Sequence, residues 1–319
     1  MTALPALLLA AGAAAAPAVG PWTEAVVSVR DLGRSSALFT QVGGWRVVAR
    51  GRVTRSELAY WALPAGASGT FLRICAPTAD TGCIRFVRFA GVAQQLVRPP
   101  SRAWDTGGIY SLMVRSSDVQ ALYDRALALG WWAESEPIAF KFGGSDLRNV
   151  VLQGPDGFQL AAYERKSPPF TAFPVGLISQ AFNSMRMVRD QRASVAFYRA
   201  LGFKPVFDSD YVDPAPTPNN FSLPQNLTPT VIRRASALQP IDGETGRVEV
   251  MQFVGLSGRD FSDRARAPNL GILSLRYPTG GTSPQPGATV VETGGLGRIA
   301  LTRRTDPDGN LTELYEVVK

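Results

Sequence analysis

The side chains available for catalysis are restricted in one respect, because the 319 residues include no histidine. Imidazole is the usual general acid and base near neutral pH, and it is a common ligand of transition metals. Proton transfer by this chain would therefore use Glu, Asp, Tyr or Lys side chains whose pKa is shifted by burial. A Cys/His zinc site is excluded, and no CxxC pair is present.

The two cysteines, Cys75 and Cys83, flank the turn-like segment 76–82. In an oxidising compartment they can form a disulfide across a short hairpin, and otherwise they remain two partly buried thiols. The sequence leaves both alternatives open.

The composition is that of a globular protein, with 45% hydrophobic and 18% charged residues, and the length indicates about two domains. The formal net charge is +7, but the arginines are scattered through strand-like segments. A nucleic-acid groove requires clustered basic residues interleaved with aromatics. We therefore expect no nucleic-acid partner, and the positive charge favours anionic small molecules.

The amino-terminal segment has features of a secretory signal peptide. Residues 3–18 are uncharged and apolar, and residues 16–18 form an A-x-A cleavage pattern, although no Lys or Arg precedes them. These features predict a signal peptide over residues 1–20 and a periplasmic or secreted protein. No other segment is long and apolar enough to span a membrane.

Four segments of the chain begin with an alternating apolar run that is typical of a strand. They are residues 24–32, 109–119, 183–191 and 272–278. The first three lead into amphipathic helices predicted at 33–45, 120–131 and 192–203, each with a glycine near its end. Further strand-like runs follow, including 57–64 after the first helix, whereas a Gly/Pro-rich stretch in the fourth segment indicates a shortened or lost helix. The repeat predicts an α+β fold of four βαβββ modules.

Spacing and linker composition predict the domain boundaries. We expect modules one and two to form a first domain at 21–165 and modules three and four a second domain at 175–319. The Pro-containing segment 166–174 would link them. The Pro/Asn-rich insertion 211–229 is predicted to be a loop that covers a pocket.

Two motifs resemble those of the vicinal oxygen chelate superfamily, which includes glyoxalase I, extradiol dioxygenases and bleomycin-resistance proteins. The first runs from Val188 and Asp190 to the Phe197–Gly202 segment, and the second is the Asp306–Leu314 segment. The resemblance covers nearly all of the chain after residue 20. It implies that paired modules curl into two open-barrel domains, each enclosing a small-molecule pocket.

In this superfamily a divalent metal is held by side chains from the first and last strands of the modules. The matching positions here hold Glu24 in the first domain and Asn183, Glu249 and Glu313 in the second. The resemblance therefore implies a first domain without a metal, acting as a scaffold. In the second domain only oxygen ligands remain, which leaves Mg²⁺ or Ca²⁺ as a minor alternative to a site without cofactor. Extradiol cleavage is excluded, because its iron needs histidine ligands.

The same positions supply the candidate site residues. Glu313 and Glu249 are the candidate catalytic bases. Five further residues are candidates for substrate binding: Asn183, Arg233, Tyr60, Arg73 and Tyr110. The competing interpretation of both glutamates is that they form ion pairs with barrel arginines such as Arg276.

Three functions remain open at this point. The first is a metal-independent lyase, isomerase or epimerase that acts on a small oxygenated or aromatic molecule. The second is a protein that binds such a molecule without converting it, and the third is an enzyme with oxygen-ligated Mg²⁺ or Ca²⁺. In each case the partner is a small molecule, and the protein would be a monomer or a homodimer.

Overall fold

The computed structural model describes residues 18–281 and 284–318. The predicted signal peptide of residues 1–20 lies outside the described residues except for its last three, so it stays a prediction. In the part of the chain that is described, no helix is long and apolar enough to cross a membrane.

The chain folds into the four predicted modules. The elements of module one are β1 (Glu24–Ser28), α1 (Leu32–Ala37), β2 (Arg46–Arg52), α2 (Arg55–Tyr60), β3 (Ser68–Cys75) and β4 (Cys83–Ala90). Those of module two are β5 (Ser111–Arg115), α3 (Val119–Ala128), β6 (Trp132–Ala133), β7 (Ile138–Phe142), β8 (Ser145–Gln153) and β9 (Gln159–Ser167). Those of module three are β10 (Asn183–Met187), α4 (Gln191–Ala200), β11 (Lys204–Tyr211), β12 (Arg233–Gln239) and β13 (Arg247–Phe253). Module four contains β14 (Gly271–Pro278), β15 (Thr289–Thr293), β16 (Gly297–Thr305) and β17 (Leu311–Val317).

The helices α1, α3 and α4 begin in the same way. Asp31, Asp118 and Asp190 are their N-cap residues, and each carboxylate accepts a hydrogen bond from the backbone N–H three residues later. Such a cap satisfies an N–H group that the first helical turn leaves without a partner. The strand-to-helix junctions that the repeat predicts are therefore confirmed, and α1 continues as one wider π-helical turn at Leu38–Val42.

Modules one and four depart from the βαβββ pattern in one way each. The prediction of a strand over the run 57–64 is wrong, because helix α2 covers Arg55–Tyr60 and residues 61–64 form a turn and an irregular segment. The Thr54 hydroxyl caps this helix by accepting from the Glu57 N–H, a local signal that outweighs the β-propensity of the aromatic residues. In module four, no helix is present among residues 279–281 and 284–288, as predicted.

The modules pair in an order that the sequence does not predict. One sheet has the strand order β15-β16-β17-β14-β1-β4-β3-β2, and the other has the order β11-β12-β13-β10-β5-β9-β8-β6, with β7 paired to β8. Module one therefore pairs with module four through the antiparallel contact of β1 with β14, and module two pairs with module three through β5 and β10. The predicted domains at 21–165 and 175–319 each combine two sequential modules. This prediction is wrong, because sequential modules one and two, and three and four, do not share a sheet.

The physical reason lies in the free edges of the modules. In each module the first strand has one hydrogen-bonding edge filled by the last strand and one edge open, so any two modules can join through their open edges. The long connections 91–110 and 254–270 carry the chain from one sheet to the other and back. The segment 166–174 is consequently not a boundary between sheets, since it joins β9 to β10 of the same sheet and its first two residues belong to β9.

Each sheet packs one face into a common core and keeps a separate cluster on its other face. The common core includes Val27 of β1, Leu112 of β5 and Val250 of β13, together with apolar side chains of the helices. On the opposite faces, one cluster contains residues of modules one and four, and the other contains residues of modules two and three. Because successive strand residues point to opposite faces, each strand divides its side chains between the common core and one of these two interiors.

Cys75 and Cys83 form a disulfide with a Cα–Cα distance of 4.4 Å. It joins the end of β3 to the start of β4 across the hairpin that the sequence predicts. Of the two alternatives for these cysteines, the structure contains the bonded one.

Candidate functional site

A cavity of about 770 Å³ lies within the sheet of modules two and three. Its wall is formed by alternate residues of strands β5, β8, β9, β10, β12 and β13, and by β7, β11 and the segment 213–221. Aromatic and sulfur-containing side chains dominate one part of it: Phe140, Phe142, Phe182, Phe207, Phe221, Met113, Met185 and Met251. The size and the lining suit a small, largely apolar molecule with a few polar groups.

Strand β13 shows how the sequence creates this wall. Val248 and Val250 point into the common core and are fully buried. Arg247, Glu249 and Met251, which alternate with them, all line the cavity. The alternation therefore places a base and a cation two residues apart on the same face of one strand.

Glu249 is the only carboxylate of this wall without an ion pair within 4 Å among the described residues. Its Oε2 atom accepts a hydrogen bond of 3.2 Å from the amide nitrogen of Asn183, whose own oxygen accepts from the Ser184 N–H at 2.8 Å. The Ser184 contact fixes the orientation of the amide, so Asn183 presents its NH₂ group to Glu249. Burial raises the pKa of Glu249 to about 7, although the hydrogen bond from Asn183 and the charge of Arg247 act in the opposite direction.

Tyr163 of β9 is the second titratable group near Glu249. Burial raises the pKa of the Tyr163 hydroxyl, and the nearby Glu249 carboxylate raises it further. Its Cα partner in the register with β8 is Asn149, which also lines the cavity. Tyr163 therefore stays protonated near neutral pH and can donate a hydrogen bond inside the cavity.

Arg233 of β12 lies in the same wall but is already neutralised. Its Nη2 donates to Oδ2 of Asp213 at 2.7 Å, and both side chains are nearly fully buried. The guanidinium also lies 4.0 Å from the centre of the Tyr211 ring. We therefore infer that Arg233 attaches the insertion 211–229 to strand β12 and that its guanidinium is not available to bind a ligand.

A second group of basic side chains lines the cavity around Glu244. Arg115 of β5 donates to Oε2 of Glu244 from Nε at 3.0 Å, and Nη1 of Arg247 lies 3.9 Å from Oε1. Arg165 of β9 lines the same cavity. Two guanidinium groups therefore contact Glu244, and a third lines the same cavity.

The insertion 211–229 contributes to the cavity wall, as predicted. Asp213, Asn220 and Phe221 lie in the lining. Asn220 donates to the side-chain oxygen of Asn149 at 2.6 Å, which joins the insertion to strand β8. Phe207 of β11 and Phe142 of β7 meet edge-on at 5.3 Å, so a second contact connects modules two and three over the cavity.

The interior of the other sheet is occupied by a network of charges. Three glutamates and three arginines from modules one and four form it: Glu24, Glu57, Glu313, Arg73, Arg85 and Arg276. Arg276 is central, because its guanidinium lies 2.9 Å from Glu24, 3.2 Å from Glu57 and 2.8 Å from Glu313. Burial alone would lower the pKa of Arg276, but the charges of these carboxylates hold it well above its ordinary value.

The predicted site residues therefore fall into two places. Asn183, Arg233 and Glu249 line the cavity. Glu313 does not, because it is fully buried in the charge network of the other sheet, where the competing interpretation of an ion pair with Arg276 is the one observed. The expectation that Glu249 and Glu313 share a pocket is wrong, since their modules belong to different sheets.

The remaining candidates lie outside the cavity lining. Arg73 is paired with Glu24 at 2.8 Å in the charge network. Tyr60 ends helix α2 rather than lying on a strand, and it is buried in the apolar cluster of modules one and four. Tyr110 precedes β5 and is buried beneath the cavity wall, where burial raises its pKa to about 12. None of the three is positioned to contact a ligand in this cavity.

Comparison with solved structures supports the architecture. Glyoxalase I from Zea mays matches over 93% of this chain and 92% of its own length, with 16% identity and a TM-score of 0.57. A candidate dioxygenase from Bacillus subtilis matches over 94% of this chain and 86% of its own length, with 11% identity and a TM-score of 0.51. The chain has the vicinal oxygen chelate fold. No protein-family model matches the sequence, and no match was found among curated proteins.

The metal that the vicinal oxygen chelate fold usually holds does not fit the residues at either interior. In one sheet the guanidinium of Arg276 lies among Glu24, Glu57 and Glu313, so a cation already satisfies these carboxylates. In the other sheet the comparable position offers Asn183 and Glu249, and Met185 is the Cα partner of Glu249. Within the described residues no three His, Cys, Asp or Glu side chains are grouped for a metal ion. One carboxylate and one amide would leave most of the six or more ligand positions of Mg²⁺ or Ca²⁺ to water or to other groups.

Sequence reasoning missed several residues of this vicinal oxygen chelate cavity. Tyr163, Arg115, Arg165 and Glu244 were not candidates, since they do not occupy the ligand positions of the fold family. The alternation of Arg247 and Glu249 on one strand was the one local signal available. It could be used only with knowledge of which face of β13 points away from the common core.

Proposed function

We propose that this protein is a metal-independent enzyme of the isomerase or lyase type, in which Glu249 exchanges a proton with a small molecule bound in the cavity. The observation that carries the proposal is a partly buried carboxylate without an ion pair at the wall of a large, mainly apolar cavity. A carboxylate in such a position lowers the stability of the fold, because burial without a countercharge disfavours the ionised form. A carboxylate present in a cavity at this cost is a candidate for a functional group.

The chemistry follows from the two protonation states of Glu249. With a pKa of about 7, both the carboxylate and the carboxylic acid are populated near neutral pH. A group of this kind can remove a proton from carbon in one step and return it to another position in the next, which is the requirement for isomerisation. Asn183 holds one carboxyl oxygen, so the other is directed to the bound molecule.

Removal of a proton from carbon leaves negative charge on a neighbouring oxygen of the substrate. Tyr163 and Arg247 line the same cavity and can donate hydrogen bonds to that oxygen. Preorganised donors of this type stabilise a developing oxyanion because they need not reorient during the reaction. Glu249, Tyr163 and Arg247 thus have the roles of base, neutral donor and charged donor.

A second candidate function is binding without conversion. The observation that favours it is the share of aromatic and methionine side chains in the wall, which adapt to apolar ligands and need no catalytic group. The two functions differ in one measurable property, since a binding protein leaves the hydrogens of its ligand unexchanged.

The test is hydrogen exchange in D₂O. Small aromatic and oxygenated compounds that raise the melting temperature are incubated with the protein, and deuterium incorporation at carbon is followed by NMR. We expect exchange with the wild-type protein, a loss of about 10²-fold or more in Glu249→Gln, and no change after treatment with a chelator. Glu292→Gln, at an exposed position on β15 of the other sheet, is the matched control.

Three outcomes would contradict the proposal. Tight binding without deuterium incorporation would identify a binding protein. Exchange that continues unchanged in Glu249→Gln would remove Glu249 from the reaction. Loss of exchange in the chelated wild-type protein would show that a metal takes part.

A further inference from the structure

We infer that Arg115, Arg165 and Arg247 form an anion subsite that binds the carboxylate of the substrate and so orients it toward Glu249. The inference rests on the proposed function, because it names the substrate class on which Glu249 would act. The observation behind it is that positive side chains outnumber negative ones at one end of the cavity wall, where Glu244 is the only carboxylate within 4 Å of Arg115, Arg165 or Arg247 among the described residues.

The imbalance is visible in the contacts of the three guanidinium groups. Arg115 is held by Glu244 through Nε at 3.0 Å, and Arg247 approaches the other oxygen of the same carboxylate at 3.9 Å. Arg165 has no carboxylate within 4 Å among the described residues, and its Nε atom is buried without a hydrogen-bond partner. Glu244 therefore pairs with two of the three arginines, and the third has no countercharge in contact.

Aromatic rings hold the subsite in place. The guanidinium of Arg115 lies 4.0 Å from the centre of the Phe170 ring and 4.8 Å from that of Phe182, while Arg165 lies 5.5 Å from Phe170. Burial lowers the pKa of Arg247, and the neighbouring charges of Arg115 and Arg165 act in the same direction, whereas those of Glu244 and Glu249 act in the opposite direction. A bound anion would relieve this repulsion, whereas a neutral ligand would leave it.

The geometry favours a carboxylate over other anions. Guanidinium groups pair readily with carboxylates, and Arg115 already donates to one at this end of the cavity, with Nε and Nη2 both bonded to Oε2 of Glu244. The aromatic and methionine side chains elsewhere in the wall suit an apolar body attached to that carboxylate.

The register of β13 limits the size of the substrate. Arg247 and Glu249 are two residues apart on one face, so their backbone positions are separated by about 7 Å along the strand. A carboxylate held by Arg247 therefore places Glu249 near carbons only a few bonds away. The substrate class is a small aromatic carboxylic acid that loses a proton close to its carboxylate.

The test compares matched acids and amides by titration calorimetry. Benzoate, phenylacetate and 3-phenylpropanoate are measured beside their neutral amides, with inorganic phosphate as a competitor. We expect at least one acid to bind about tenfold or more tightly than its amide, and phosphate to compete weakly. Arg165→Gln should weaken the acid by about tenfold or more and leave the amide unchanged.

The controls separate charge, folding and catalysis. Arg50→Gln removes an equal charge from an exposed position on β2 and should leave both affinities unchanged. Arg165→Lys should retain part of the preference, and an unchanged melting temperature would show that the variants are folded. Glu249→Gln should still bind the acid, since the subsite does not include it.

The outcomes distinguish the two proposals. If no acid binds better than its amide, or if Arg165→Gln weakens both equally, the anion subsite is refuted. Equal competition by phosphate would overturn the assignment to carboxylates. If the acid preference depends on Arg165 but Glu249→Gln leaves hydrogen exchange intact, the subsite stands and the proposed catalytic role of Glu249 fails.

Discussion

The raised pKa of Glu249 predicts how stability depends on pH. The folded-state pKa of about 7 lies above the ordinary value of 4.5, because burial favours the protonated form. Between these two values the folded protein holds a proton that the unfolded chain has released. The contribution to stability is therefore fully present below about pH 4.5 and is lost as the pH rises through about 7.

The size of the effect follows from the difference between the two pKa values. The difference of about 2.5 between the two pKa values corresponds to at most about 3.5 kcal/mol, at about 1.4 kcal/mol for each pKa unit. Part of the Glu249 side chain faces the cavity and is accessible to solvent, which reduces this figure. We expect a loss of about 1–3 kcal/mol between pH 5 and pH 8.

Glu249→Gln isolates this contribution, since the amide has nearly the same shape and does not titrate. The free energy of unfolding of both proteins is measured by urea denaturation at several pH values from 5 to 8.5. The stability of the variant relative to the wild-type protein should increase with pH and level off above about pH 8. A difference that stays constant over this range would show that Glu249 titrates normally, and the reasoning about its burial would be wrong.

Three further predictions concern the charge network, the disulfide and the reaction. Arg276→Met should lower the free energy of unfolding by about 3–5 kcal/mol, because it leaves buried carboxylates uncompensated, and an effect below about 1 kcal/mol would contradict this. Arg298→Met, which alters an exposed contact of 3.8 Å, is its control and should cost less than about 1 kcal/mol. Replacing both Cys75 and Cys83 by serine should cost about 2.5 kcal/mol, measured by urea denaturation against the oxidised protein, because the loop between them has a sequence separation of 8. Hydrogen exchange of a substrate should rise with pH up to about 7 and then level off, as Glu249 becomes the free carboxylate.

Local features of the fold were predictable from the sequence because they depend on short-range interactions. The aspartates before α1, α3 and α4 cap their helices within three residues, so the position of each helix start follows from a few neighbours. The alternating strand runs likewise follow from the two faces of a sheet. Helix α2 escaped prediction because a Thr54 cap and an aromatic run favour different structures for the same residues.

The partners of the modules were not predictable in the same way. Glu24 and Arg276 are separated by 252 positions, yet they are Cα partners in the register of β1 and β14. Nothing in the local sequence of module one indicates which open edge it joins. Since Glu313 and Glu249 occupy corresponding places in modules four and three, pattern matching assigned them the same role, and only the strand pairing separates them.

The two interiors show how one architecture supports different roles. In modules one and four, Arg276 stands among carboxylates where the fold usually holds a metal, and the network fills the space with ion pairs. In modules two and three, Met185 and Met113 stand near Asn183 and leave a cavity, so that no arginine lies within 4 Å of Glu249 among the described residues. A carboxylate that is neutralised contributes to the fold, whereas one kept apart from its countercharge has a shifted pKa and can exchange protons. In a chain without histidine, Glu249 thus supplies the cavity with a group whose pKa lies near 7.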